Sequence, residues 1–139
     1  MFFKRMAHVC LHVADLKRSL EYYHKLGFKD RFEFTHKGKD YGRYLEIADK
    51  TYIEIFEEPK PLPLKNDGLV HFCLETADLD GLIRDLDAKG VGHTPKSQGC
   101  DFTWQIWLED PDGNKFEVHE YSEKSMQMHG GTVEVDWLD

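Results

Sequence analysis

Hydrophobic and polar positions along the chain follow first an alternating and then a helical period, and this succession occurs twice. From His8 an apolar segment rich in β-branched residues predicts a strand. Asp15 then stands as a helix N-cap, and Leu16, Leu20, Tyr23 and Leu26 form an apolar stripe that Gly27 ends in the left-handed conformation. Three strand-like runs follow, near Phe28 to Thr35, Tyr41 to Ala48 and Thr51 to Phe56, with turns at Lys37–Lys39 and Asp49–Lys50. The second half repeats the order. His71 opens an apolar segment, Leu79, Leu82, Ile83 and Leu86 form the stripe before Gly90, and runs near Val91 to Thr94, Phe102 to Glu109 and Lys115 to Tyr121 complete it. Asp110–Asn114 supplies a tight turn with Pro and Gly in suitable places. The pattern is βαβββ twice, an α+β chain whose two modules curl into a cupped sheet.

An offset of 63 residues makes the duplication explicit: His8, Cys10, Leu11, Ala14, Asp15 and Leu16 recur as His71, Cys73, Leu74, Ala77, Asp78 and Leu79. The same offset carries Gly27 onto Gly90 and Glu54 onto Glu117. The modules span about residues 6–58 and 69–121 of a single domain, 1–139, joined by the proline-rich connector Glu58 to Leu64. Residues 122–139 have no counterpart and are expected to be a tail that docks on a partner subunit.

Composition narrows the partners. A formal charge of −8 over 139 residues disfavours a nucleic-acid surface, which needs a net basic face. No apolar run has the length of a signal or membrane span, so a cytoplasmic protein is expected. Cys10, Cys73 and Cys100 cannot all pair within the chain and form no CxxC, which fits a reducing compartment. Within apolar runs, Cys10 and Cys73 read as small core residues.

Alternation along a strand assigns faces. His8, Cys10 and His12 point one way and Val9, Leu11 and Val13 the other; Glu54 shares a face with Tyr52 and Phe56, and Glu117 with His119 and Tyr121. Two imidazoles and two carboxylates at repeat-related positions suit one divalent ion, because imidazole favours Zn, Ni or Fe and carboxylate adds affinity for Mg or Mn. A dication also makes two facing ionised carboxylates favourable. His8, Glu54, His71 and Glu117 are therefore the expected metal ligands. Each one alone has an ordinary structural explanation; the matched recurrence of all four carries the reading.

The stretch from His8 to Phe28, with His71, Asp110–Asn114 and Phe116-Glu117, resembles the vicinal oxygen chelate superfamily, which includes glyoxalases, dioxygenases and resistance proteins. The resemblance covers His8 to Tyr121. It implies a glyoxalase-like fold, a homodimer and a metal site whose ligands correspond to His8, His71 and Glu117, with Glu54 as discriminator. Two His and two Glu resemble lactoylglutathione lyase. That pattern implies a metal-dependent lyase or isomerase (Ni, Zn, Co, Mn or Fe) acting on a small oxygenated substrate through a metal-stabilised enediolate, with Glu117 or Glu54 as base. His12 and Glu58 stand where similar enzymes carry Arg and Asn, and with Glu57 and Glu120 nearby the acidic positions oppose an anionic tripeptide such as glutathione. An iron-dependent dioxygenase and a metal-free drug-binding protein are the alternatives. His12 and His119 read equally as cavity-lining proton shuttles, as groups supporting a ligand or as surface residues, and His24, His36, His93 and His129 as surface histidines. Trp104 and Trp107 read as core and interface residues, and Asp80, Asp85 and Asp87 as a solvated helix face.

Overall fold

The computed structural model describes residues 6, 8–58, 71–130 and 132. They fall into two compact units, one drawn from residues up to 68 together with Asp110–Asp112, the other from residues 69–109 and 113 onward. Pro59 to Leu64 of the connector and Val133 to Val135 of the tail lie outside the described residues.

The first unit runs β1 (His8–Val13), α1 (Leu16–Lys25), β2 (Lys29–His36), β3 (Lys39–Ala48) and β4 (Thr51–Glu57). Its sheet has the order β1-β4-β3-β2, with β1 and β4 parallel and the remaining pairs antiparallel. Helix α1 begins where two carboxylates take up its free N–H groups: Asp15 accepts from Arg18 and Glu57 accepts from Leu16, both at 2.9 Å. It ends on Gly27 at φ 89°, where the N–H groups of Gly27 and Phe28 donate back to His24 and Tyr23. The Phe28 ring stacks on Tyr23 across that stop. Leu11, Val13, Leu16, Leu20, Leu45, Ile53 and Ile55 form the core, joined by a fully buried Tyr23 that donates to Asp110 at 2.9 Å. Burial, then the Asp110 charge, pushes the Tyr23 hydroxyl far above its ordinary pKa. Asp112 belongs to the same unit, accepting from Ala14 N–H, the Arg18 guanidinium and the Ser19 hydroxyl.

The second unit repeats the plan with β5 (Phe72–Glu75), α2 (Leu79–Ala88), β6 (Ser97–Gln98), β7 (Trp104–Glu109) and β8 (Lys115–Glu120), in the order β5-β8-β7-β6. Asp78 caps α2 through Gly81, Glu120 accepts from Leu79, and Gly90 at φ 66° closes it with bonds from Gly90 to Asp87 and from Val91 to Leu86. Leu79, Leu86, Ile106, Leu108, Phe116 and Val118 are its core.

Three expectations change. Val91 to Thr94 is not a strand: Thr94 makes single bonds to Trp107 through its N–H and hydroxyl, and Pro95, which lacks an N–H, ends any ladder before Ser97. Strand β7 starts at Trp104 rather than Phe102, because Phe102 sits at φ 62° in a turn closed by its N–H to Gly99. The tail is folded at its start: Ser125 is fully buried, Met126 N–H donates to the Asp101 carbonyl, and a short helix α3 (Met126–His129) follows. The chain is α+β, with two four-stranded mixed sheets.

Candidate metal centre

In both units the strand facing the helix with aliphatic side chains leaves its alternate residues on the open face. Register then fixes what surrounds each glutamate. Glu54 lies opposite Cys10 on β1 and Tyr44 on β3; Glu117 lies opposite Cys73 on β5 and Trp107 on β7. His8 opens β1, and His71 immediately precedes β5. His8 Nε2 stands 3.5 Å from Glu54 Oε2 in the first unit, and His71 Nε2 3.3 Å from Glu117 Oε2 in the second. The sequence-expected residues thus form two matched imidazole–carboxylate pairs, one per unit.

Aromatic rings brace both imidazoles edge-on: Tyr44 against His8 at 5.6 Å and Trp107 against His71 at 4.8 Å. The Tyr44 hydroxyl lies 3.2 Å from His8 Nδ1 in hydrogen-bond contact. With Nδ1 as the donor, the ring keeps its Nε2 lone pair on the Glu54 side, the tautomer a metal ligand needs. Burial, then the nearby carboxylate, raises the Tyr44 hydroxyl above its ordinary pKa.

The second unit adds a donor that strand reading had set aside. His119, at the position where the first unit has Phe56, places Nε2 3.2 Å from Glu117 Oε2, so this carboxylate lies within reach of two imidazoles. The His119 ring is 13% exposed, and its Nε2 has no hydrogen-bond partner among the described residues. Cys73 Sγ joins Glu117 and His119 in a group whose ligating atoms all lie within 4.8 Å of one another. Cys10 and Cys73 are exposed rather than core residues, because strand alternation sends Leu11 inward and both thiols outward. Desolvation first, then Glu117, pushes the Cys73 thiol up to about 12; Cys10 is raised by desolvation and Glu54.

Other expectations shift as well. Glu57 and Glu120 hold the first N–H of α1 and α2, so neither adds to acidic crowding on the open face. His93 is no surface histidine: its ring is 13% exposed, bonded to the Thr94 carbonyl and Asp87, beside a cavity of about 610 Å³ that also borders Trp107 and Lys115. Trp104 is exposed beneath the Lys96 ammonium. Asp80, Asp85 and Asp87 are exposed as expected, paired with Lys96, Lys89 and His93. His12 is exposed on β1. Among the described residues, no helix is long and apolar enough to cross a membrane.

Twin βαβββ units with an imidazole–carboxylate pair on each open face define a glyoxalase-like class of protein. The chain belongs to the Glyoxalase/Bleomycin resistance protein/Dioxygenase superfamily, whose family model matches residues 5–118. It is 29% identical over 118 residues to the glutathione transferase FosA of Serratia marcescens, covering 81% of this chain and 77% of that one. A glyoxalase family protein from Enterococcus faecalis superposes with a TM-score of 0.73 at 25% identity, over 86% of this chain and all of that one. A glyoxylase/bleomycin resistance protein/dioxygenase domain from Frankia sp. EAN1pec shares the fold with a TM-score of 0.72 at 22% identity, over 91% and 98% of the two chains.

Proposed function

We propose that the chain is a divalent-metal-dependent lyase or isomerase of the glyoxalase type, acting on a small oxygenated substrate, with His8, Glu54, His71 and Glu117 as metal ligands. The observation that supports this most is the recurrence of one imidazole–carboxylate pair, at 3.5 and 3.3 Å, in the same register of two units. The donors fit such an ion: they are Nε2 and carboxylate oxygens, and His8 is oriented through its other nitrogen by Tyr44. A bound Ni, Zn, Co, Mn or Fe dication would polarise a substrate carbonyl and its neighbouring hydroxyl, favouring proton loss from carbon. Glu54 and Glu117 are the candidate bases. Glu117 lies between two imidazoles while Glu54 faces one, so Glu54 is the carboxylate freer to turn and take up the proton. The unpaired thiols agree with a cytoplasmic location; a homodimer is the assembly the family resemblance implies.

The test is elemental analysis of protein purified without tag or chelator, beside Glu54→Gln. Near-stoichiometric metal that falls in the variant supports the assignment; protein that neither carries nor takes up metal overturns it. A second reading, thiol transfer to a small electrophile, is favoured by the similarity to a glutathione transferase and by the turning of Glu57 and Glu120 toward the helices. Metal-loaded protein that consumes glutathione with an electrophilic substrate, and shows no isomerisation of 2-oxoaldehyde adducts, would decide for transfer.

A further inference from the structure

The open face of the second unit carries more donors than the repeat requires. Cys73 and Glu117 are neighbours across the parallel β5–β8 pair, and His119 is two residues further along β8 on the same face. Strand geometry therefore aims thiol, carboxylate and imidazole into one small volume, within 4.8 Å of one another. His119 Nε2 and Glu117 Oε2 approach to 3.2 Å, yet the ring nitrogen makes no hydrogen bond among the described residues. A mostly buried nitrogen left so costs stability unless something else satisfies it. The Cys73 thiol makes a long 3.5 Å contact to the Leu74 carbonyl and interacts with the His119 backbone. At the corresponding place the first unit has Phe56, which cannot ligate.

We propose that Cys73, Glu117 and His119 form a thiolate-containing metal site within the second unit that takes a borderline-soft divalent ion of the zinc class. It goes beyond the assignment above, since Cys73 and His119 lie outside the repeat-related set and only Glu117 is common to both. The chemistry of the donors sets the preference. Thiolate and imidazole favour zinc or cobalt over magnesium and manganese, and two anionic donors balance a dication. Three protein ligands leave a coordination position open. The site therefore selects the metal by softness, which the oxygen-and-imidazole set does not.

Cobalt(II) titration of the metal-stripped full chain reads the thiolate directly, through its ligand-to-metal absorption in the near ultraviolet. The wild type is expected to show that absorption, Cys73→Ser to lose it, Cys10→Ser to keep it, and His119→Phe to weaken cobalt binding by about tenfold or more. Absence of the absorption in the wild type, its survival in Cys73→Ser, or its loss in Cys10→Ser would overturn the proposal. Zinc protection of the wild-type protein against iodoacetamide, mapped by mass spectrometry, covers the case in which a variant fails to fold: slowed alkylation at Cys73 supports the site and unchanged alkylation overturns it. Glu54→Gln separates the two assignments. It is expected to leave the thiolate absorption in place even if it abolishes isomerase activity, and inactivity of the wild type towards every substrate leaves the absorption test intact.

Discussion

On the open face of the first unit Glu54 is surrounded by rings: Tyr44 stacks on Phe32 at 4.5 Å and tilts against Tyr52 at 4.9 Å, while Phe34 and Phe56 meet at 4.7 Å. On the corresponding face of the second unit Glu117 lies among Cys73, His119, His71 and Trp107. Strand order and helix ends are the same in both, so the difference is one of side chains on a common backbone. It teaches that duplication here preserved the donor pair and let its surroundings diverge, one face toward apolar contact and the other toward polar ligation.

Removing the glutamates in turn should separate the two faces most strongly. Glu117→Gln should lower metal affinity on the order of 100-fold and Glu54→Gln by less, because Glu117 lies within reach of two imidazoles and a thiol; competition against a calibrated chelator measures both. A reversed order would place the stronger ligation in the first unit.

Packing comes next. An added Cβ on Gly42 would fall 2.5 Å from the Ile55 carbonyl oxygen and 2.6 Å from the Phe56 ring. Gly42→Ala should therefore cost about 1–3 kcal/mol in urea unfolding. The repeat counterpart, Gln105→Ala, should stay within about 0.5 kcal/mol.

Tyr44→Phe keeps the ring against His8 and removes only the hydroxyl contact to Nδ1. About a tenfold loss of metal affinity is expected, visible by calorimetry, whereas Trp107→Phe offers no such hydroxyl to lose.

The smallest effect is acid sensitivity. Burial of Asp101 would raise its carboxyl, but hydrogen bonds from Gln127 and Thr103 outweigh it and hold the carboxyl below its ordinary value. A lowered folded-state pKa gives stability that is complete above about pH 4 and lost as pH falls through the folded value. Asp101→Asn should flatten that acid limb by less than about 1 kcal/mol, the group being partly solvent-screened.

The two helices could be read from sequence because their ends are local chemistry: Asp15 and Asp78 cap within three residues, and Gly27 and Gly90 stop the helix whatever packs on it. The repeated His and Glu were legible for the same reason, as strand parity alone assigns a face. His119 was harder, because its approach to Glu117 depends on side-chain direction along β8 and its repeat partner is Phe56. One signal was available: the offset that pairs the histidines also pairs Tyr44 with Trp107, the rings that brace them. Val91 to Thr94 shows the opposite limit, since a short strand-like segment becomes a strand only where a neighbouring ladder accepts it, and Pro95 closes that option. The docking of Ser122 to His129 onto Asp101 had no repeat to reveal it.

The carboxylates of Glu57 and Glu120 bear on how fast each unit folds. Each clasps the first amide of its helix across 41 residues of chain, so both units close loops of equal length when the last strand pairs with the first. Loop-closure entropy depends on that length and only weakly on what the loop contains. The two halves thus face the same topological barrier, and a difference in their folding speeds reports the aromatic filling of one loop against the polar filling of the other.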